Sequence, residues 1–367
     1  MSSSSSPPTA TMLASSAITH LSATYPNRVQ IHLHPATSLP ASLASSLSDA
    51  VDSPAPRGDL PVALVWTVES LRLMRTYGVT GSYTGTLAQF PQQNVFLGLP
   101  VQMLPEEVVF LVRRGRAVVV DECASYRASG AGERAEVRNA VAEDRRGQQL
   151  AAWHERQLLR AKHSSSSAGS AQPTQAELDT LPWHYTIPTT SSALPWYTPT
   201  AYTHLSAIQH VFAYPRTARE IGSTALFDHL RGDHGLWCLN GLRFGGSFAV
   251  YPGDPLRYHS HYTAQLVLRG EDIAMTSLVA NGRLGTAVKK THLLCCVQDV
   301  AEGLEAQDEA EIGAQIGSGR FDVAVRGNRD PTRSQAAQEG DGDGEAIAGT
   351  TLATFNVFSL AWAGFGT

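Results

Sequence analysis

The sequence predicts a mixed α/β (α+β) protein in two folded parts, a small N-terminal α/β domain and a larger C-terminal α/β sandwich around one sheet. Three observations predict it. Short apolar runs of strand length alternate with helical stretches towards both ends of the chain. A charged, alanine-rich segment and a Ser/Pro-rich tract separate those two regions. Asn240-Gly241 lies between two strand-like runs, which is the strongest short hairpin signal a sequence offers.

Taken in order, residues 1–15 are a Ser/Thr/Ala/Pro-rich tail with too little apolar content to fold. The N-terminal domain is placed at 16–125. Val29–His34 and Val62–Val68 read as strands separated by an insertion at 36–60. Glu69–Tyr77 has helical spacing (Leu71, Met74) and stops at Gly78. Asn94, Leu97, Gly98, Leu99 and Pro100 read as a turn-rich segment. Leu104-Pro105-Glu106-Glu107 opens a second helix, with Pro in the first turn and acids complementing the macrodipole. Arg113–Arg116 ends it, and Ala117–Val120 is a buried strand.

Residues 126–200 connect the two domains. Gly132–Lys162, with Val137, Val141, Leu150, Leu158 and Leu159 spread through it, predicts a solvated helix. The serine tract Ser164–Ser167 and the Pro-rich stretch to Pro199 predict a linker. Its aromatic residues Trp183, Tyr185, Trp196 and Tyr197 call for a surface, on this chain or a partner, to dock on. The last domain spans 201–367. Ala218–Leu230 is helical, ending before Gly232 and Gly235. Leu236–Leu239 and Leu242–Val250 form the hairpin. Tyr262–Arg269 is a strand, Thr276–Lys290 a helix and Thr291–Val297 a buried strand. A Gly/Asp/Glu-rich insertion fills 301–349, and Thr351–Trp362 supplies a final strand.

The net charge of −5 argues against holding nucleic acid by bulk charge, so any such surface must be local or completed by a partner. Cys123, Cys238, Cys295 and Cys296 show no Cys-x-x-Cys spacing, and the last two sit in an apolar run. They read as free thiols of a reducing compartment. Neither a signal-peptide pattern nor a membrane-length apolar stretch is present, so a soluble intracellular protein is expected.

The densest polar constellation is Tyr251 through His261, mounted on the hairpin, followed downstream by Lys289 and Lys290. His259 and His261 are expected to open the next strand on one face. RNA cleavage through its own 2′-OH is one chemistry that suits Tyr, His and Lys. His is the natural acid/base at neutral pH, and Lys is a compact cation for the charge on the phosphorane. A phenol, with a free pKa of about 10, serves as base or orienter only beside positive charge. Taken singly, each has an ordinary explanation: a strand-end Tyr, a surface His, a Lys at a helix C-terminus. Spacing does not overturn those explanations. A zinc site from His259, His261, His229, His234 and Cys238 competes, but zinc needs three or four converging ligands, which the spacing does not favour. Asp233 and Asp254 are the only carboxylates between Asp233 and Arg269, a poor set for two-metal chemistry. Basic residues of the last domain, Arg257, Arg283 and Lys289 among them, outnumber nearby acids and suit a phosphate substrate.

The runs Phe244–Tyr262 and Leu278–Lys290 strongly resemble the catalytic domain of tRNA-splicing endonucleases, a restriction-endonuclease-like fold. Gln93–Pro100 with Leu104–Glu107 resembles the N-terminal domain of the eukaryotic subunit type that cleaves the 3′ splice site. The resemblance covers roughly 60–120, 214–300 and the final strand. It implies a catalytic triad of Tyr251 as base, His259 as acid and Lys290 as stabiliser of the transition state. Substrate contacts are then expected from Arg257, Arg283 and Lys289. It further implies 2′,3′-cyclic phosphate and 5′-OH products, no cofactor or metal, and precursor tRNA as substrate. A heterotetramer with a second catalytic subunit and two structural subunits, paired through C-terminal strands and located in the nucleus, is also implied. In related enzymes a neighbouring subunit lends an Arg and an aromatic residue to clamp a bulge nucleotide. A non-catalytic scaffold subunit of the same fold is the alternative, and a DNA nuclease of similar shape a third reading.

Overall fold

The computed structural model describes residues 21–35, 60–86, 97–163, 172–184, 194–300, 309–318 and 352–360. The N-terminal tail, nearly all of the 36–60 insertion, the serine tract, Tyr185, most of 301–349 and Trp362 lie outside the described residues. The chain divides into two compact units, one formed by Met1–Thr24 with Ala124–Pro199, the other by Tyr25–Cys123 with Thr200–Thr367.

In the larger unit, β1 (Val29–His34) buries Val29, Ile31 and Leu33 on one face, as a period of two requires. It pairs antiparallel with β2 (Val62–Val65), and helix α1 (Val68–Thr76) follows. Thr67 caps α1 by accepting from Ser70 N, and Gly78, in the left-handed region at φ 72°, turns the chain out of it. β3 (Ser82–Thr86) then pairs with β4 (Leu97–Gln102). The turn-rich reading of Leu97–Pro100 is thus corrected: the segment is a strand between β3 and β2. Gly98 and Pro100 misled because the strand carries a register shift opposite Tyr83–Gly85, the kind of irregularity at which Pro is tolerated. Gly85 is required there, since a Cβ would lie 1.8 Å from Leu99 O.

Helix α2 (Pro105–Arg113) starts as read, with Glu107 Oε2 accepting from Leu104 N (2.8 Å). Val108 to Val112 are all buried, so the helix is covered all round. β5 (Ala117–Asp121) lies parallel to β1 and is buried throughout, and β6 (Thr200–Tyr202) completes the sheet in the order β3-β4-β2-β1-β5-β6.

In the smaller unit, α3 (Ala131–His163) is the charged helix, with most residues exposed or half-buried. The described ends of the aromatic segment dock within this unit. Arg145 stacks on Trp183 (5.0 Å), Gln148 exchanges hydrogen bonds with the His184 backbone, and Tyr197 is buried edge-on to Tyr126 (5.1 Å). Helix α4 (Gln175–Asp179) interrupts the expected linker.

The C-terminal sheet begins after helix α5 (Ala218–Asp228), which buries Ile221, Ala225 and Leu226 and closes its N-terminus with a Thr217/Glu220 capping box. β7 (Trp237–Asn240) and β8 (Phe248–Tyr251) form the hairpin, but the connection runs from Gly241 to Ser247 and includes a 3₁₀ turn. Asn240 uses its side chain to cap Leu242 N (3.0 Å), so the Asn-Gly pair starts a longer loop and not a two-residue turn. β9 (Tyr262–Val267) starts at Tyr262 as read, so His259 and His261, expected to open it, lie in the preceding loop. Helix α6 (Met275–Ala287) crosses over to β10 (Thr291–Val300), which is parallel to β9. The helix ends before Lys289, which adopts φ 54°, so Lys290 stands at the threshold of β10 and not on α6. Helix α7 (Glu309–Gly317), unforeseen inside the 301–349 insertion, buries Ile312 and Ile316 and receives Gln209 Nε2 at Gly313 O (2.9 Å). β11 (Ala353–Leu360) is the outer strand of the order β11-β10-β9-β8-β7.

One core joins the two sheets. Phe110 of α2, Phe227 of α5 and Phe248 of β8 stack edge to face at 5.5 and 5.7 Å. Around them, Glu106 Oε1 accepts from Tyr214 Oη and Ser223 Oγ (both 2.8 Å). Buried Asp228 accepts from Arg114 (2.7 Å) and faces Arg113 (3.5 Å). The N-terminal domain is therefore a wall of the same folded unit as the C-terminal sheet.

Candidate active site

The end of the C-terminal sheet where the candidate residues lie is tied by two backbone hydrogen bonds. His261 N–H donates to Val250 O, and Thr291 N–H donates to His261 O, each at 3.0 Å. Tyr251 follows Val250 at the end of β8, His259 lies two residues before His261, and Lys290 immediately precedes Thr291. Tyr251 thus ends β8, Lys290 directly precedes β10, and His259 lies in the loop that leads into β9, the strand between those two. Tyr251 is half-buried and His259 exposed.

Lys290 is half-buried and held. Its Nζ donates to Ser260 O (3.0 Å) and to Ser260 Oγ, and lies 4.9 Å from the centre of the Phe244 ring. Ser260 itself is buried and adjoins His259, so the ammonium is tied directly to the histidine loop. The sharp approach of β10 to α6 depends on Gly285: Lys290 N donates to Gly285 O (2.8 Å), and a Cβ on Gly285 would lie 2.7 Å from Lys290 O.

Beneath the site, His292 is buried between Thr263 Oγ1 at Nδ1 (2.8 Å) and Gln265 Oε1 at Nε2 (3.0 Å). Asn281 of α6 also donates to that Gln265 oxygen (3.0 Å). Burial lowers the His292 pKa, and a neutral ring donating from Nε2 and accepting at Nδ1 satisfies both partners. This network pins β9, β10 and α6 together behind Lys290.

Arg257 is exposed within the loop, Lys289 is exposed beside Lys290, and Arg283 stands on the exposed side of α6. Loop residues Leu256 and Tyr258 are exposed as well. Of the histidines weighed for zinc, His229 and His234 meet at the end of α5 (Nε2 to Nε2, 3.2 Å), with Asp233 on His229 Nδ1 (3.1 Å). Cys238 is buried within β7, where burial pushes its thiol pKa well up. Among the described residues no three His, Cys, Asp or Glu side chains converge as a metal site.

Sequence reasoning missed Ser260, Phe244, the His292 network and Arg75. Arg75 reaches from α1 to Asp254 in the loop. Ser260 lay within the motif and is a short hydroxyl beside the histidine, which was a usable signal. Nothing local marks the others.

Residues 60–122 match the family described as TSEN34-like, N-terminal domain, and residues 223–302 the tRNA intron endonuclease, catalytic C-terminal domain. Over 243 residues the chain is 31% identical to the probable tRNA-splicing endonuclease subunit sen34 of Schizosaccharomyces pombe, across 63% of this chain and 82% of that protein. The chain belongs to the Sen34 family of tRNA-splicing endonuclease subunits. It is also 29% identical to the Homo sapiens Sen34 subunit, over 64% of this chain and 92% of that one. For the Saccharomyces cerevisiae SEN34 subunit the identity is 28%, over 63% and 91%. The catalytic-domain match contains β7 to β10 with Tyr251, His259 and Lys290. The Sen34-type N-terminal match contains α1, α2 and Arg75. Among the described residues no helix is long and apolar enough to cross a membrane.

Proposed function

We propose that this chain is the catalytic subunit that cuts precursor tRNA at the 3′ splice site. The observation that carries the reading is that the histidine loop is tied to the end of β8 and the start of β10, with Lys290 fixed on the residue next to His259. Tyr251 takes the proton of the 2′-OH beside the cut at its phenolic oxygen. The 2′ oxygen bonds to phosphorus, the bond from phosphorus to the 5′ oxygen breaks, and His259 protonates that departing oxygen. Products are a 2′,3′-cyclic phosphate and a 5′-OH. Lys290 spends two of an ammonium's three N–H donors on Ser260 and offers the third to a non-bridging oxygen. Because RNA supplies its own nucleophile, the reaction requires no metal-bound hydroxide.

Arg257, Arg283 and Lys289 are the candidate phosphate contacts, all exposed as that role demands. The chain works within a nuclear complex, a heterotetramer containing a second catalytic subunit and two structural ones. The outer position of β11, with Val357 and Phe358 exposed on it, supports assembly through that strand.

In a reconstituted complex, His259→Ala is expected to abolish 3′-site cleavage while assembly and 5′-site cleavage persist; normal 3′ cleavage by the variant would sink the assignment. Cleavage should survive EDTA, and a 2′-deoxy substitution at the 3′ site should block it. Cutting of the deoxy substrate would point to a nuclease with an external nucleophile.

A further inference from the structure

Arg75 closes the last turn of α1, yet its side chain reaches the reacting end of the other sheet. One guanidinium nitrogen donates to Asp254 Oδ1, and the guanidinium carbon lies 5.7 Å from the centre of the Trp237 ring. Both targets bear on Tyr251. Trp237 is its cross-strand partner, and Asp254 stands three positions after it in the loop leading to His259.

Asp254 organises that loop. Its Oδ1 accepts from Leu256 N (2.8 Å), and its carbonyl accepts from Arg257 N (2.8 Å) and Tyr258 N (3.0 Å). The end of α1 is itself anchored. Arg231 donates to Tyr77 O (3.0 Å) and Gly235 O (2.9 Å) and packs on the same indole at 5.4 Å. A Cβ on Gly78 would lie 1.9 Å from the Arg231 guanidinium, so the two segments are in close packing.

We propose that Arg75 is a positioning residue for the reaction: the N-terminal domain uses it to hold Trp237 and Asp254, and through them the separation of Tyr251 from His259. The proposal rests on the catalytic reading of those two residues. Exposed ion pairs contribute little, but the Arg75 side chain is only 19% exposed and touches both Asp254 and the Trp237 ring. Small displacements of reacting groups cost rate steeply. The Arg75 hydrogen bond also holds the Asp254 carboxyl below its ordinary range, so the contact persists across neutral pH.

The test uses the full chain purified with the subunits that copurify with it, and an intron-containing precursor tRNA. Arg75→Ala should lower kcat at the 3′ site about 10- to 100-fold, with KM within about threefold and an unchanged urea midpoint. Asp254→Asn keeps an oxygen for Leu256 N while removing the charge, and should reproduce the loss if Arg75→Ala proves poorly folded. Arg75→Lys, which keeps charge but not the planar fork, should recover part of the rate. Wild-type kcat in both Arg75→Ala and Asp254→Asn, or a loss confined to KM, would overturn the proposal. His259→Ala runs alongside. If it is dead while the Arg75 and Asp254 variants are normal, only the positioning role fails; if it is active, the catalytic reading itself fails.

Discussion

Single residues decide this site through close approaches more than through unusual ionisation. Gly285 shows the competition plainly. Helix propensity alone would have Gly285→Ala stabilise α6 by about 1 kcal/mol. The added Cβ would lie 2.7 Å from Lys290 O, a backbone atom whose residue also donates to Gly285 O, so neither side yields cheaply. The clash should win. The expected outcome is a lower urea midpoint together with at least a tenfold loss of cleavage rate, because Lys290 is pushed off Ser260; a stabilised, fully active variant would refute this account. At this scale the sequence was only partly legible. Tyr251, His259 and Lys290 were singled out through the motifs around them, since each residue type has a commoner structural use. Ser260 sat unread in the same motif. Arg75 and Asp254 are 179 positions apart, and an Asp followed by Pro in a turn already has a sufficient local explanation.

The elements that were read correctly are those whose signals are local. Helix α2 is the clearest, with Pro105 at its start and Glu107 folding back onto Leu104 N. Those read wrongly were settled by packing: β4 carries Pro100 because its irregularity is absorbed against Gly85, and α7 was hidden by the acidic composition around Ile312 and Ile316. Helix α2 also carries a measurable consequence. Full burial pushes the Glu107 carboxyl up to about 7, although the N–H groups of Leu104 and Gly81 pull it back. The unfolded carboxyl gives up its proton near pH 4.5 and the folded one only near 7, so rising pH favours the unfolded chain between those values. Stability from this group should therefore fall across that window, by on the order of 3 kcal/mol, and level off above it. Comparing urea midpoints of wild type and Glu107→Gln isolates the effect: the advantage of wild type should shrink from pH 4.5 to 7. A widening advantage would show that the hydrogen bonds outweigh burial.

For the whole molecule, the larger unit interleaves the two regions that sequence composition had separated. β6 follows the long connection yet completes the N-terminal sheet, and the Phe110–Phe227–Phe248 stack runs from α2 into β8. Asp228 is the polar centre of this junction, 3% exposed and facing Arg113 and Arg114. Removing its charge would take a buried carboxylate away from two largely buried guanidiniums, which typically costs about 3–5 kcal/mol. The architecture also says where that cost must appear. If the two sheets unfold as one cooperative unit, Asp228→Ala will lower the protection of amides in β1 and β5 by the same free energy as those in β8 and β9. Two independently folding domains would instead confine the loss mainly to one sheet. Segment-resolved hydrogen exchange on the full chain distinguishes these cases. Equal losses in both sheets are expected, because α2, α5 and β8 share a single apolar core and neither sheet can expose its half without opening the other.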